Sequence, residues 1–429
     1  MTLIKTSLLS LVASIFKIIF GFVVYKLIAV YAGPSGVALL GQFQSVQQGL
    51  SGVATGGFGQ GLVKYLSEFK NNINQCQHIF STAVKLVFLY LMPTSLLLYF
   101  FSESISLLVF DSPAYAGWLK FLAVALVPSS MGALFVAALN GLHEVHKLTL
   151  VGVISSVLGV VLAFACIPVW GVFGAIIALL GGLVVTTFLA LWMLQQLPIF
   201  SLRWFQKELN KPDSHRLGKF ILMALTSAIS ISVSHILIRN YLSDTISIDA
   251  AGLWTAMWRI SAAYLLVISM TLSVYYLPRL SSLNIQYEIR REITHGQRLI
   301  LPFVVFSSLI IFLMRDWIVL VLFDSRFLAM RDLFAYQLIG DVIKIAAFLY
   351  AYMMLAKAKT TVFIVAEIFF SLFFVLLVVL FVNNFGLVGV SYAFTANYLA
   401  YFVFVYFWFN ISCKKSIFDG TDPQKINTH

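Results

Sequence analysis

The chain has 429 residues, 61% hydrophobic and only 10% charged, with a mean hydropathy of +0.95, whereas soluble domains carry roughly 25% charged residues; a water-soluble fold is excluded. In lipid only helices and closed barrels satisfy the backbone, and stretches such as Phe369 to Val382, apolar on every face, lack the alternation of a barrel strand. The net charge of +11 comes from Lys and Arg scattered over short connections, with no continuous patch or recognition motif, so nucleic acid is excluded as a partner.

A span needs about 20 mostly apolar residues. On that requirement the sequence predicts twelve helices, at 7–31, 37–62, 79–101, 117–139, 148–168, 171–194, 218–241, 250–277, 297–321, 329–355, 361–382 and 386–410. The first is read as a retained helix, because Lys17 and Lys26 interrupt its apolar run and no small-residue cleavage site follows. With the N-terminus inside, 18 of the 28 Lys and Arg fall in cytoplasmic segments, so the positive-inside rule places both termini in the cytoplasm. The stretch from Arg315 to Asp332, mixing three Arg with three Asp, is the exception. Cys76, Cys166 and Cys413 are odd in number and widely separated, which supports neither a disulfide framework nor a metal site.

An internal repeat is visible. Gly171-Val172-Phe173-Gly174-Ala175 reappears in kind as Gly386-Leu387-Val388-Gly389-Val390, 215 residues later, and Gly36 matches Gly252 at an offset of 216. Six helices per repeat means two parallel lobes related by an axis along the membrane normal, an arrangement used by secondary transporters. The division expected is an N-terminal six-helix lobe at 1–200, a cytoplasmic linker at 201–217, a C-terminal lobe at 218–412 and a cytoplasmic tail at 413–429.

The informative residues are ionisable groups inside spans, each of which costs roughly 2.5–3.5 kcal/mol at mid-bilayer unless it faces protein or water. They are Lys17, Lys26, Lys85, Arg239, Arg259 and Lys344 against Asp341 and Glu367. Six cations against two anions leaves a surplus that internal pairing does not neutralise and an anionic ligand would. Lys85 and Arg239 lie near helix ends, where long side chains snorkel to the interface; Lys17 and Arg259 are deeper. Asp341 and Lys344, three residues apart, share a helix face and are spaced to pair. The functional alternative makes Asp341 or Glu367 an ion-coupling group that exchanges protons. The second helix carries Gln42, Gln44 and Gln48 beside a run of glycines, read either as close packing or as a cavity wall offering amides to sugar hydroxyls. No GxxxxGK[ST] loop is present, and no connection is long enough for an extramembrane catalytic domain.

Three blocks carry a resemblance: Lys26-Leu27-Ile28-Ala29-Val30 followed by Gly33-Pro34-Ser35-Gly36; Lys219-Phe220-Ile221-Leu222-Met223-Ala224; and the sixteen residues from Ala329 to Lys344. Across nearly its whole length the chain resembles the Wzx-type flippases of the MOP superfamily, which move undecaprenyl-pyrophosphate-linked O-antigen or enterobacterial common antigen (lipid III) units across the bacterial inner membrane. The resemblance implies an all-α, MOP/MATE-like fold of about twelve transmembrane helices and alternating access without a cofactor, driven by an H+ or Na+ gradient. It also implies a cationic cavity for pyrophosphate and anionic sugars, with membrane lipids and the pathway's polymerase and chain-length regulator as partners. Lys17, Lys26, Arg239, Asp341, Lys344 and Glu367 match positions similar in the relatives, whereas Arg259 and Ala262 depart from a pattern that often has an acidic residue near position 262.

The expectation is a non-enzymatic flippase in which pyrophosphate sits among Lys17, Arg259 and Lys344, with Lys26 and Arg239 nearer the periplasmic exit. Two rivals are weighed against it. A multidrug or ion antiporter of the same superfamily would favour buried acidic groups over basic ones, and a membrane glycan polymerase or ligase would need a large periplasmic loop.

Overall fold

The computed structural model describes residues 3–55, 57–70, 72–197, 200, 221–283, 285–357 and 359–418; the expected linker at 201–217 lies outside the described residues. Within them the chain is helical. The helices are α1 (Leu3–Thr55), α2 (Phe58–Glu68), α3 (Ile73–Phe100), α4 (Ser102–Phe110), α5 (Ala116–Gly141), α6 (Val145–Gln195), α7 (Ile221–Thr245) and α8 (Ile248–Thr271). A π-turn (Leu272–Tyr276) then leads to α9 (Leu277–Ser282), α10 (Gln286–Leu313), α11 (Arg315–Leu322), α12 (Phe334–Ala356), α13 (Thr360–Phe385) and α14 (Gly389–Phe418).

Seven stretches are long and apolar enough to cross a membrane, and three of them run for 44, 51 and 53 residues. A span takes about 20 residues, so each of those three makes two crossings. With α7 and α8, of 25 and 24 residues and so long enough for one crossing each, the described residues have the length for twelve crossings, and the protein is a multi-pass membrane protein. One helix shows why the sequence demands this. On α13 one face, with Ala366, Phe374, Val378 and Val382, is buried, while Phe369, Leu372, Leu376 and Leu380 on the other are exposed. A helix apolar all round is stable where its outer face meets lipid.

The paired crossings turn at glycine. Gly33, Gly171 and Gly386 have φ of 68°, 54° and 60°, a left-handed backbone that disfavours a Cβ. The repeat reads out directly in these corners: a Cβ on Gly174 would lie 2.2 Å from the carbonyl oxygen of Cys166, and one on Gly389 would lie 2.4 Å from that of Phe381. In both corners the second glycine presses on a carbonyl eight positions back.

Some boundaries differ from the sequence expectation. The span at 37–62 stops at Thr55, because Gly57 takes φ 69°. The amphipathic α2 follows, burying Phe58, Gly61, Leu62 and Leu66 and exposing Lys64 and Glu68. The span at 297–321 is split at Met314, and α10 begins earlier, at Gln286. The span at 250–277 is α8 followed by the π-turn. Residues 413–418, assigned to a tail, continue α14.

Contacts group the chain into two compact units, 1–255 with 319–327, and 256–318 with 328–429. In the first, α1 packs on α6 and α7, and α5 on α3 and α6. In the second, α12 packs on α10 and α14, and α13 on α14. The core of the second unit is built from Leu265, Leu272, Tyr276, Ile345, Leu349 and Phe409.

Candidate functional site

Arg239 is the most deeply buried of the basic candidates, 5% exposed. Its guanidinium is held without a carboxylate: Nε donates to Thr255 Oγ1 (2.9 Å) and Nη1 to Ser45 Oγ (2.8 Å), with longer bonds to Gln42 Oε1 and the His235 carbonyl (both 3.4 Å). The Trp254 ring centre lies 5.4 Å from its Cζ, a distance at which the ring face attracts a cation. This arrangement needs Gly41, since a Cβ there would fall 3.0 Å from Nε. Gln42 extends the network, donating from Nε2 to the Val109 carbonyl (2.7 Å) and to Asn240 Oδ1 (2.5 Å). Beside it is a cavity of about 170 Å³ lined by Gln42, Phe110, Asp111, Arg239, Asn240 and Asp244, among others.

A second polar centre sits in the other unit. The Asp341 carboxylate is fully buried, and its Oδ2 accepts from Ser261 Oγ (2.6 Å) and Tyr264 OH (2.9 Å). Oδ1 is buried and has no close hydrogen-bond partner among the described residues. Tyr264 OH also lies 3.3 Å from Ser308 Oγ, so the polar chain joins α8, α10 and α12. Lys344, one turn after Asp341, makes no hydrogen bond among the described residues. Its Nζ sits 5.2, 5.3, 5.7 and 5.9 Å from the ring centres of Trp258, Tyr398, Phe348 and Phe394. Asp341 and Glu367 are the charges that act on it. Its surroundings are therefore aromatic, with the balancing carboxylates in the same unit.

Lys26 has a different environment. Its ammonium donates to the main-chain carbonyls of Leu320 (2.8 Å) and Phe323, at the end of α11. In return, Arg326 Nη2 donates to the carbonyls of Ala29 (2.6 Å) and Val30 (2.9 Å), just before the corner at Gly33, while Asp324 Oδ2 holds the same Nη2 at 2.8 Å. A Cβ on Gly33 would lie 2.9 Å from Arg326 Nη1. Helix ends leave carbonyls unpaired, and here two cations fill those acceptors reciprocally. Asp324, outside the spans, is held at a pKa of about 2, chiefly by its hydrogen bond from Arg326.

The other predicted residues are distributed. Lys17 is exposed on α1, next to Gly152. Arg259, Glu367 and Lys85 are partly buried. Gln44 is buried and accepts from Tyr25 OH (2.6 Å), whereas Gln48 is exposed; only Gln42 of the three lines the cavity. Among the described residues no group of His, Cys, Asp and Glu is arranged to hold a metal ion. Sequence reasoning missed Ser45, Thr255, Ser261, Tyr264 and Arg326. Ser261 and Tyr264 carry a usable signal, being polar side chains three residues apart on an apolar helix, whereas the partners of Lys26 lie almost 300 residues away in sequence and leave none.

Comparison with known proteins bears on the fold and the family. Solved structures share the fold: a multidrug resistance MATE family transporter of the MOP superfamily, in its inward-facing conformation, superposes with a TM-score of 0.79 over 96% of each chain at 15% identity. The lipid III flippases of Escherichia coli (strain K12) and Shigella flexneri are each 32% identical over 406 residues, covering 94% of this chain and 97% of theirs. The profile of the family described as polysaccharide biosynthesis protein matches residues 3–284, and with two thirds of its length in that match this chain belongs to the polysaccharide biosynthesis protein family.

Proposed function

We propose that the chain is a flippase that carries a lipid-linked oligosaccharide from the cytoplasmic to the periplasmic leaflet of the bacterial inner membrane, a transporter and not an enzyme. The observation that carries this reading is 32% identity, sustained over 94% of the chain, to proteins named lipid III flippases. The cargo favoured is the lipid III type, with an O-antigen unit as the alternative glycan. A drug-exporting role gains nothing from the MATE likeness, which at 15% identity speaks for the fold alone.

In mechanism, the cargo site opens to one side of the membrane and then the other. Exposed Lys17 and partly buried Arg259 are the cations offered to the pyrophosphate, each within its own unit. Lys26 acts as a brace, since its ammonium is occupied by main-chain carbonyls. Asp341 and Glu367 are the ion-coupling groups: Asp341 Oδ1, buried and without a close hydrogen-bond partner among the described residues, is where a proton or a monovalent cation from an H+ or Na+ gradient would be held, and Lys344 is the fixed positive charge that senses its arrival. Both termini are cytoplasmic, and the pathway's polymerase and chain-length regulator are the partners downstream.

Cells lacking the chain test the reading. Single lipid-linked units should accumulate facing the cytoplasm; accumulation facing the periplasm would point to a polymerase or ligase and overturn it.

A further inference from the structure

The cavity beside Arg239 has a donor and acceptor pattern that neither a pyrophosphate nor a metal ion matches. Arg239 is 5% exposed and lines the cavity. Its Nε and Nη1 are engaged, but Nη2 has no hydrogen-bond partner among the described residues, and it is not among the buried polar atoms left unpaired. The Nη2 group of this buried, cavity-lining guanidinium therefore keeps its donors unused among the described residues. The carboxylates of Asp111 and Asp244 also line the cavity, exposed at its rim. Asp111 is the C-cap of α4, in the left-handed conformation (φ 53°) with which helices commonly end. The wall is completed by Phe110, whose ring is fixed against Tyr115 (5.1 Å between centres) and Trp118 (6.1 Å).

A group bound here meets a cationic donor, two anionic acceptors and an aromatic face. A pyrophosphate would satisfy the guanidinium but lie beside two like charges, and a metal ion would meet the guanidinium. A sugar ring satisfies all three, because its hydroxyls both donate and accept while its C–H face lies on an aromatic ring. The size agrees: about 170 Å³ is below the roughly 300 Å³ at which drug-sized pockets begin, enough for one ring and not for a chain.

We propose that this cavity in the first unit binds one sugar residue of the cargo, with Arg239 Nη2 donating to a ring oxygen substituent, Asp111 and Asp244 accepting from hydroxyls and Phe110 stacking on the ring. It is a sugar site separate from any pyrophosphate contact. The inference rests on the flippase reading for the identity of its ligand.

The test is saturation-transfer NMR on the purified full-length chain, with methyl glucoside as the probe, inorganic pyrophosphate as the competitor, and thermal unfolding to verify that each variant is folded. The wild type should bind the glucoside, and pyrophosphate should not displace it. Asp111→Asn with Asp244→Asn should weaken binding by roughly tenfold, the effect of weakening hydrogen bonds to charged groups. Ser243→Phe, which fills the cavity from its α7 wall, should abolish binding. Displacement by pyrophosphate, or undiminished binding in folded Ser243→Phe, would overturn the proposal. Measuring lipid-linked oligosaccharide flux in parallel separates the two claims: glucoside binding without wild-type flux removes the flippase reading and leaves the sugar site standing, while wild-type flux with binding untouched by the plug removes the sugar site alone.

Discussion

Lys26 Nζ lies 2.8 Å from the carbonyl oxygen of Leu320, 294 positions away in the chain, and Arg326 grips the carbonyls of Ala29 and Val30 in return. Charge-assisted hydrogen bonds of this kind contribute about 1.5–3 kcal/mol each when sheltered. Lys26→Met should therefore lower unfolding stability by about 1–3 kcal/mol, and Arg326→Met by less, because its side chain is 48% exposed and solvent weakens its ion pair. Thermal unfolding in detergent checks both. A Lys26→Met protein as stable as wild type would show that the brace contributes nothing.

Asp324 gives that brace a pH dependence. Its carboxyl is held at about 2, below the ordinary value of 3.8, first by the hydrogen bond from Arg326. A depressed folded-state pKa means the stabilisation is fully present above about pH 4 and is lost as pH falls toward 2. Exchange of the backbone amides around the Gly33 corner should be flat from pH 7 to 5 after correction for intrinsic rates, then accelerate below pH 4. Asp324→Asn should remove the low-pH acceleration.

The two glycines of each repeat corner should respond differently to a methyl group. Nothing lies within 4 Å of a Cβ on Gly171, so Gly171→Ala incurs only backbone strain, about 1–3 kcal/mol, since φ 54° with ψ −125° is a region that glycine alone occupies readily. Gly174→Ala drives a Cβ to 2.2 Å from a main-chain oxygen and should cost more, about 3 kcal/mol or beyond, as overpacking with backbone displacement does. Yields and melting temperatures of the two variants give the order directly.

That corner also shows what was legible in the sequence. Gly171 to Ala175 and Gly386 to Val390 stand out because a backbone requirement falls on glycine and leaves a local mark. The apolar spans are legible for the same reason, since bilayer thickness acts on contiguous residues. The break between Thr55 and Phe58 is less so, because α2 stays apolar on one face and only the Gly56-Gly57 pair in the sequence signals the turn. The site is the least legible part. Counting buried charges singles out Lys26 and Lys344 but not what surrounds them, because contacts such as Lys26 to Leu320 and Lys344 to Tyr398 are encoded by no local pattern.

Asp341 and Lys344 should behave as a coupled pair. Removing the ammonium alone leaves a buried carboxylate without its balancing charge, which is costlier than removing both. Lys344→Met should therefore destabilise the protein more than Lys344→Met combined with Asp341→Asn, with an interaction energy of about 0.5–3 kcal/mol in a double-mutant cycle. Additive effects would show that the two groups do not sense one another.

Proteoliposomes containing only this chain and a labelled lipid-linked oligosaccharide in the outer leaflet test the central claim most directly. The label should move to the inner leaflet at a rate that depends on an imposed H+ or Na+ gradient, and in folded Asp341→Asn that gradient dependence should vanish. Transfer by the wild-type chain no faster than in protein-free vesicles would contradict the account.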